Sequence, residues 1–355
     1  MNDVDGMKRE LWPTTTLARR VYKFQHQGLA ASTRVGYQIL HTLLHPHARR
    51  PSLGAVSDLA RRFDELLERD LANVQEGYYP ERLLYGFPLA HYLRRIPAVA
   101  LDLPKVAWRS YFGRYADLPA DVDRSHYPDY YLRNFHWQTD GWLSERSADI
   151  YDAGVEFLFG GTADVMRRMA IPALVRSIDE SGEIRPRILD VGCGTGRFLS
   201  QLAATVPKAR LYGLDLSPYY LRRTRELVSA DVPLTLAADN AEDMPWADGT
   251  FDVVTSVFLF HELPPKVRRI VASEMIRVVK PGGTVVVCDS AQLSDSPQLD
   301  DVLHAFPESY HEPFYRSYLR DDLAALFAEA GLEITGDEPH LVSKVVAGRR
   351  PQSSA

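Results

Sequence analysis

The chain has little cysteine, no long apolar run and no excess of positive charge. Its 355 residues include two cysteines, Cys193 and Cys288. That is too few for a disulfide framework or a cysteine-rich zinc site. No run approaches the roughly 20 apolar residues of a membrane-spanning helix. The opening MNDVDGMKRE lacks the apolar centre of a secretory leader, so the expected compartment is the cytosol. A formal charge of −6 and a pI near 6.0 argue against nucleic acid as the main partner, because binding phosphates takes a basic face. The pairs Arg49–Arg50 and Arg61–Arg62 read as solvated helix faces. The length fits one large or two ordinary domains, and the 45% hydrophobic content supplies a core. Nothing in the sequence fixes the oligomeric state.

A glycine is also missing where a dinucleotide site needs one. ILDVGCGTGRFL (188–199) reads as a strand end, a glycine turn and a helix start. The G-x-G-x-x-G pattern places its third glycine where this chain has Arg197; the glycine comes one residue earlier, at Gly196. Asp190 stands at the strand tip beside Gly192, Gly194, Thr195 and Gly196. A carboxylate there repels a pyrophosphate by about 3 kcal/mol at an effective dielectric of about 20 and a separation of about 5 Å, and attracts an ammonium by as much. The ligand therefore has an adenosine end, a cationic end and no phosphate, which S-adenosyl-L-methionine satisfies. About twenty residues on, ARLYGLDL ends a second strand at Asp215, where a carboxylate accepts hydrogen bonds from ribose hydroxyls; Leu216 and Ser217 follow, and Ser217 also reads as a helix cap.

LDVGCGTG, GLDLS, AADNAEDMPWADGTFDVVTSVFLFHELP and RVVKPGGTVVVCD follow one another in order over the C-terminal half. With these residues the chain resembles the class I S-adenosylmethionine-dependent methyltransferases, in their ubiquinone/menaquinone-type subgroup. The βα alternation, with strands expected at 187–191, 210–214, 233–237, 251–257, 282–288, 332–337 and 342–347, predicts a Rossmann-like α/β fold: a doubly wound, mostly parallel, seven-stranded sheet. The resemblance adds an antiparallel last strand. It implies that Asp239, Asn240 and Ala241 meet the adenine, and that Tyr151, on a helix before the glycine turn, lies over the methionine end. It also implies that the 290–319 insertion covers the substrate. Phe258 flanks the site.

The first third reads as helical, which divides the chain into an all-α substrate or lid domain (1–145) and a cofactor-binding domain (146–355). Residues 1 to about 30 read as a loose arm. Helices are expected at 32–44 and 53–74, then a short one from Pro88 punctuated by Pro97 and Pro104. The helix from about Ser147 to Arg168 leads into the first strand. The run 127–151 is dense in rings interleaved with polar groups, which fits a small-molecule pocket better than a plain core. Its Tyr130, Asn134 and Gln138, with Tyr310, His311 and Tyr315 of the insertion, are the expected substrate-pocket residues. His136, Tyr131 and His261 are the candidate catalytic residues, as bases or orienting groups, with His311 and Tyr310 as further candidates. No metal is expected, since no second histidine follows His261 at helical spacing. The expected activity is methyl transfer to a small-molecule acceptor. The alternatives are aminocarboxypropyl transfer, cyclisation of the cofactor, or a non-catalytic cofactor-sensing module.

Overall fold

The computed structural model describes residues 16–44 and 52–352. Pro46, Arg49, Arg50 and Pro51 lie outside the described residues. The N-terminal third is helical: α1 (Thr16–Leu44), α2 (Leu53–Gln75) and α3 (Leu89–Phe112). The expected loose arm is therefore corrected from Thr16 onward. Tyr22 and His26, one turn apart, are buried in α1, a stripe too sparse to stand out in the sequence. Tertiary contact with α2 stabilises the turn, with the Tyr22 hydroxyl donating to Asp70. Ser52 caps α2, its Oγ accepting from Ala55 N at 3.2 Å.

Two further expectations are corrected here. Arg62 is not solvated: it is buried, donating to Asp58 at 2.7 Å, Ser296 at 2.8 Å and the Leu341 carbonyl at 3.3 Å. Helix α3 runs through Pro97 and Pro104. Both prolines lie on its exposed side, as do Leu93 and Ala100 four residues before them, so water can serve the carbonyls that lose a helical partner.

The helix expected from about Ser147 to Arg168 is two, α4 (Glu145–Leu158) and α5 (Ala163–Arg168), and a third, α6 (Ile171–Ser181), stands between it and the first strand. Gly160 and Gly161, at φ 62° and 78°, make the first break, which other residues would enter only under strain. Glu156 then accepts from the amides of Ala163 and Asp164 at 3.2 and 2.9 Å, capping α5.

The α/β part follows as β1 (Arg187–Val191), α7 (Arg197–Thr205), β2 (Arg210–Asp215), α8 (Pro218–Leu227), β3 (Leu234–Ala238), β4 (Phe251–Val257), α9 (Pro265–Val278), β5 (Val279–Ser290), α10 (Asp300–Ser309), α11 (Tyr315–Tyr318), α12 (Leu323–Glu329), β6 (Glu333–His340) and β7 (Ser343–Arg349). Among the described residues these seven strands form one sheet in the order β3-β2-β1-β4-β5-β7-β6. β1 to β5 are parallel, while β7 runs antiparallel to both β5 and β6. Alternation along the strands sends Ile188, Val253 and Val286 to one face, packed with α5, α6 and α7, and Leu189, Val254 and Val287 to the other, packed with α9 and α12. The first of these cores also contains Tyr22, Leu66, Leu67, Leu71 and Val74, so α1 and α2 share a core with the sheet. Strand order reverses between β1 and β4, and the crevice at their carboxyl ends is the site such a sheet offers a ligand.

Candidate active site

The glycine turn after β1 is built from the backbone outward. Gly192, Gly194 and Gly196 have φ of 69°, 55° and 80°. The amides of Gly192 and Cys193 donate to the Leu214 carbonyl at 2.8 and 3.0 Å, and Gly194 N donates to Asp215 Oδ2 at 2.8 Å. Asp215 Oδ1 accepts from Ser217 N at 2.8 Å, so this carboxylate braces the turn and the start of α8 together. Burial raises Asp215 to about 6. Asp190, also buried, is raised to about 7, burial outweighing the bond it accepts from Thr255 at 3.0 Å. Both carboxyls thus titrate near neutrality, as acidic groups do when a site withholds water from them.

A cavity of roughly 1060 Å³, counting its open mouth, lies above this turn. Of the expected cofactor contacts, Tyr151, Asp190, Gly192, Gly194, Thr195, Asp215, Leu216, Asp239, Asn240, Ala241 and Phe258 line it. Gly196 and Ser217 do not. Gly196 lies against Thr224 of α8, and Ser217 caps α8 while donating to the Trp142 carbonyl. Thr195 donates to Asp152 at 2.7 Å, tying the turn to α4 next to Tyr151. Arg197 is ion-paired with Asp164 of α5. Phe258 has φ 57°, a conformation unusual for an aromatic residue and worth about 1–3 kcal/mol of strain. It is held by its amide on the Cys288 carbonyl at 2.8 Å, and by Asp289, which accepts from the next two amides.

The aromatic stretch forms the opposite wall. Tyr130, Tyr131, Phe135 and Trp142 line the cavity, with Trp142 stacked on Phe135 at 4.2 Å and tilted against Tyr131 at 5.2 Å. Phe135 and Trp142 belong to the ring-dense 127–151 run but are not among its expected pocket residues, and Glu262, next to His261, is not an expected site residue either. Tyr130 lies at the Asn240 end, its hydroxyl donating to Glu242 at 2.8 Å. Asn134 and Gln138 point elsewhere, which corrects their expected place in the pocket. Asn134 bonds the backbone of Asp117 and Gln138, and Gln138 bonds Ser147 and Tyr220. A segment with little regular structure leaves its backbone groups to be satisfied by side chains, and these two amides do that.

The insertion reaches the same edge of the sheet but sits one layer back. The His136 amide donates to the His311 carbonyl at 3.3 Å, and its ring meets Tyr310 at 6.3 Å. His311 stacks on Tyr115, and the Tyr315 hydroxyl meets Ser290 Oγ at 2.6 Å. Tyr310, His311 and Tyr315 are therefore not among the cavity's lining residues, a correction to their expected place. The rings of this segment pack on one another and on the back of the first aromatic layer.

The three candidate catalytic residues have different states. Burial holds the Tyr131 phenol well above its ordinary pKa, so it remains a hydrogen-bond donor. Burial opposes charge on His261, but Asp289, 2.6 Å from its Nδ1, outweighs that and lifts the imidazole to about 9. His261 is thus a cation clamped to Asp289 and already protonated at neutral pH. Burial lowers His136, which stays neutral. Its Nε2 faces Glu262 and Glu312, and of these residues Glu262 reaches the cavity.

A methyltransferase-domain model matches residues 188–283. The chain is 41% identical over 108 residues to the 2-methyl-6-phytyl-1,4-hydroquinone methyltransferase of Synechocystis sp., covering 30% of this chain and 33% of that protein. It is 34% identical to the demethylmenaquinone methyltransferase of Lysinibacillus sphaericus, covering 41% of this chain and 70% of that one. With the Bacillus mycoides enzyme of the same name the figures are 31%, 48% and 81%. The chain thus spans from one third to four fifths of the length of these curated relatives. Among solved structures, an O-methyltransferase family protein from Burkholderia thailandensis aligns at a TM-score of 0.44 and 18% identity, over 59% of this chain and 61% of that one. No helix among the described residues is long and apolar enough to cross a membrane. The ordered motifs, the sheet order and the identity across most of the demethylmenaquinone enzymes place this chain in the class I S-adenosylmethionine-dependent methyltransferases, of the ubiquinone/menaquinone type.

Proposed function

We propose that the chain transfers the methyl group of S-adenosylmethionine to a small, flat acceptor of hydroquinone type. The observation that carries this reading is one continuous cavity with two unlike walls. One wall has the glycine turn with Asp190 and Asp215; the other has Tyr131, Phe135, Trp142 and Tyr151. The first suits an adenosine with a cationic tail, and the second suits a sulfonium and a flat ring. The names of the relatives, which specify a hydroquinone and a demethylmenaquinone, agree with that acceptor class.

In this reading Asp215 holds the ribose, Asp239 with Asn240 and Ala241 the adenine, and Asp190 the amino end. Tyr151 covers the methionine arm. Bound there, S-adenosylmethionine would supply its methyl to an acceptor oxygen or carbon; the old C–S bond pair would stay with sulfur as S-adenosylhomocysteine, and the acceptor's proton would leave to solvent. Because the positive sulfur already activates the methyl, most of the rate comes from alignment and exclusion of water. Tyr131 orients the acceptor as a donor. Residues 1–145 act as the substrate side and lid, and 146–355 as the cofactor side.

The test is incubation with methyl-labelled S-adenosylmethionine and a panel of substituted hydroquinones and phenols, followed by mass spectrometry. Label in the acceptor with S-adenosylhomocysteine as co-product is expected. Tyr131→Ala should lower kcat/KM about tenfold or more while leaving S-adenosylhomocysteine affinity within a few fold. Methylthioadenosine as co-product, or no acceptor turned over, would overturn the reading.

A further inference from the structure

Behind Glu262 lies a charged cluster that cofactor binding does not use. His136 Nε2 is 3.3 Å from Glu262 Oε1 and 3.2 Å from Glu312 Oε1, and one donor atom from each residue lies within 4.8 Å of the others. The Glu312 side chain is fully buried, at 0% exposure, and neither of its oxygens receives a hydrogen bond. Glu262 Oε2 receives none either. Among the described residues, no arginine or lysine is ion-paired with either carboxylate. Glu312 with no hydrogen bond, beside Glu262 with one oxygen unmatched, is costly, and natural interiors rarely leave such groups unmatched unless something else satisfies them.

We propose that His136, Glu262 and Glu312 bind one divalent first-row cation. The spacing fits: donors about 2.1 Å from a common ion, at angles of about 90–109°, lie roughly 3.0–3.4 Å apart, which brackets the two His136 distances. One imidazole N–H cannot serve both carboxylates, whereas an ion can. His261 Nε2 is 3.7 Å from Glu262 Oε1 and its Nδ1 is 2.6 Å from Asp289, so this imidazolium flanks the three donors without joining them. Mixed imidazole and carboxylate donors favour zinc, manganese or iron over calcium or magnesium. A divalent ion would also match the charge of Glu262 and Glu312 in the ionised forms that bind it. Three separate segments supply the donors, so no local motif spacing marks them. Since Glu262 lines the cavity, the ion would stand in its wall and receive an acceptor oxygen. That last role rests on the methyl-transfer reading above; occupancy of the site does not.

The test uses the whole chain, stripped with EDTA and titrated calorimetrically with Zn²⁺ alone, and with Co²⁺ followed by visible absorption. One saturable Zn²⁺ per chain and ligand-field bands from Co²⁺ are expected. Glu312→Gln and His136→Gln should each weaken Zn²⁺ by about 100-fold or more, since loss of mere supporting groups already costs 10–100-fold. S-adenosylhomocysteine titration of each variant reports whether it is folded, and Glu312→Gln should bind it like wild type. If one variant fails to fold, the other carries the comparison. No saturable Zn²⁺ binding by folded wild type would overturn the proposal, as would equal affinity in folded variants. Raised thermal stability in Glu312→Gln with no Zn²⁺ binding in the wild type would also overturn it, in favour of protonated carboxyls. Zn²⁺ binding without methyl transfer would leave this site standing and remove only the catalytic reading.

Discussion

Gly194 and Gly196 are two residues apart and both left-handed, yet their surroundings assign them different duties. A Cβ on Gly194 would meet nothing within 4 Å, because it would point into the open cavity. A Cβ on Gly196 would lie 2.6 Å from Thr224 Cγ2 and 3.0 Å from Thr224 Cα. Gly194→Ala should therefore cost about 1–2 kcal/mol in backbone strain and lower S-adenosylhomocysteine affinity more than tenfold. Gly196→Ala adds the displacement of α8 to the same strain, for a total of about 2–5 kcal/mol. Denaturant titration and calorimetry on both variants check this, and equal losses of stability and affinity in the two would mean the ligand does not approach Gly194. The carboxyls beside them give a pH signature. In the free protein Asp190 titrates near about 7 and Asp215 near about 6, both raised by burial. A cationic ligand binds the ionised forms, so S-adenosylmethionine affinity should be flat above pH 7. It should fall by up to about tenfold per unit below pH 7, and more steeply below pH 6. Stability of the free protein has the opposite sign: a raised acid pKa contributes stability below the unfolded value that is lost as pH rises through 6–7. Calorimetric titrations from pH 5.5 to 8.5 test the first, and melting scans of the free protein the second.

Among elements, α2 and α5 are joined by a buried ion pair. Arg168 Nε donates to Asp70 Oδ1 at 2.9 Å, and the hydroxyls of Tyr22 and Tyr79 also donate to Asp70. Asp70→Ala would leave a guanidinium dry and should cost about 3–5 kcal/mol, measured by denaturant unfolding. Asp70→Ala with Arg168→Met should recover part of that loss, and no recovery would mean that the pair is not what Asp70 supports. Elements were legible in the sequence to very different degrees. β1, β2 and β4 read within a residue of their ends, because a strand buried on both faces is an apolar run bounded by turn residues. The span of α3 was not legible, since prolines read as stops unless it is known that their carbonyl partners face water. Within the run 127–151, Asn134 and Gln138 read as pocket residues for a related reason. Its polar side chains resemble ligand groups in composition, but with little secondary structure around them the backbone uses Asn134 and Gln138 for itself. Composition distinguishes a polar group from an apolar one without showing what that group is bonded to.

At the scale of the whole molecule, the meeting of the 127–151 run with the 290–319 insertion was partly legible. Both ring-dense segments do reach the carboxyl edge of the sheet, where His136 meets Glu312. Their layering was not legible, because two segments of like composition carry no sign of which one lies inside. The same holds for the boundary near residue 145. It separates a helical texture from an α/β one, and we propose that it separates roles; it does not separate cores. Tyr22, Leu66, Leu67, Leu71, Val74, Tyr79 and Leu84 are buried in one cluster with Ile188, Val253 and Val286. Removing residues 1–145 would bare the part of this cluster that these side chains cover. Removing residues 1–145 would also take Asp70 from Arg168, leaving a cation at the exposed seam. The 146–355 fragment, although it contains the glycine turn and every strand of the sheet, is therefore expected to show no cooperative unfolding transition and no measurable S-adenosylhomocysteine binding. Circular dichroism melts and calorimetry on the fragment and the full chain make the comparison. A fragment that melts cooperatively and binds the cofactor product within a few fold of the full chain would show that the shared core is dispensable, and that the helical third is a separate domain in the folding sense as well.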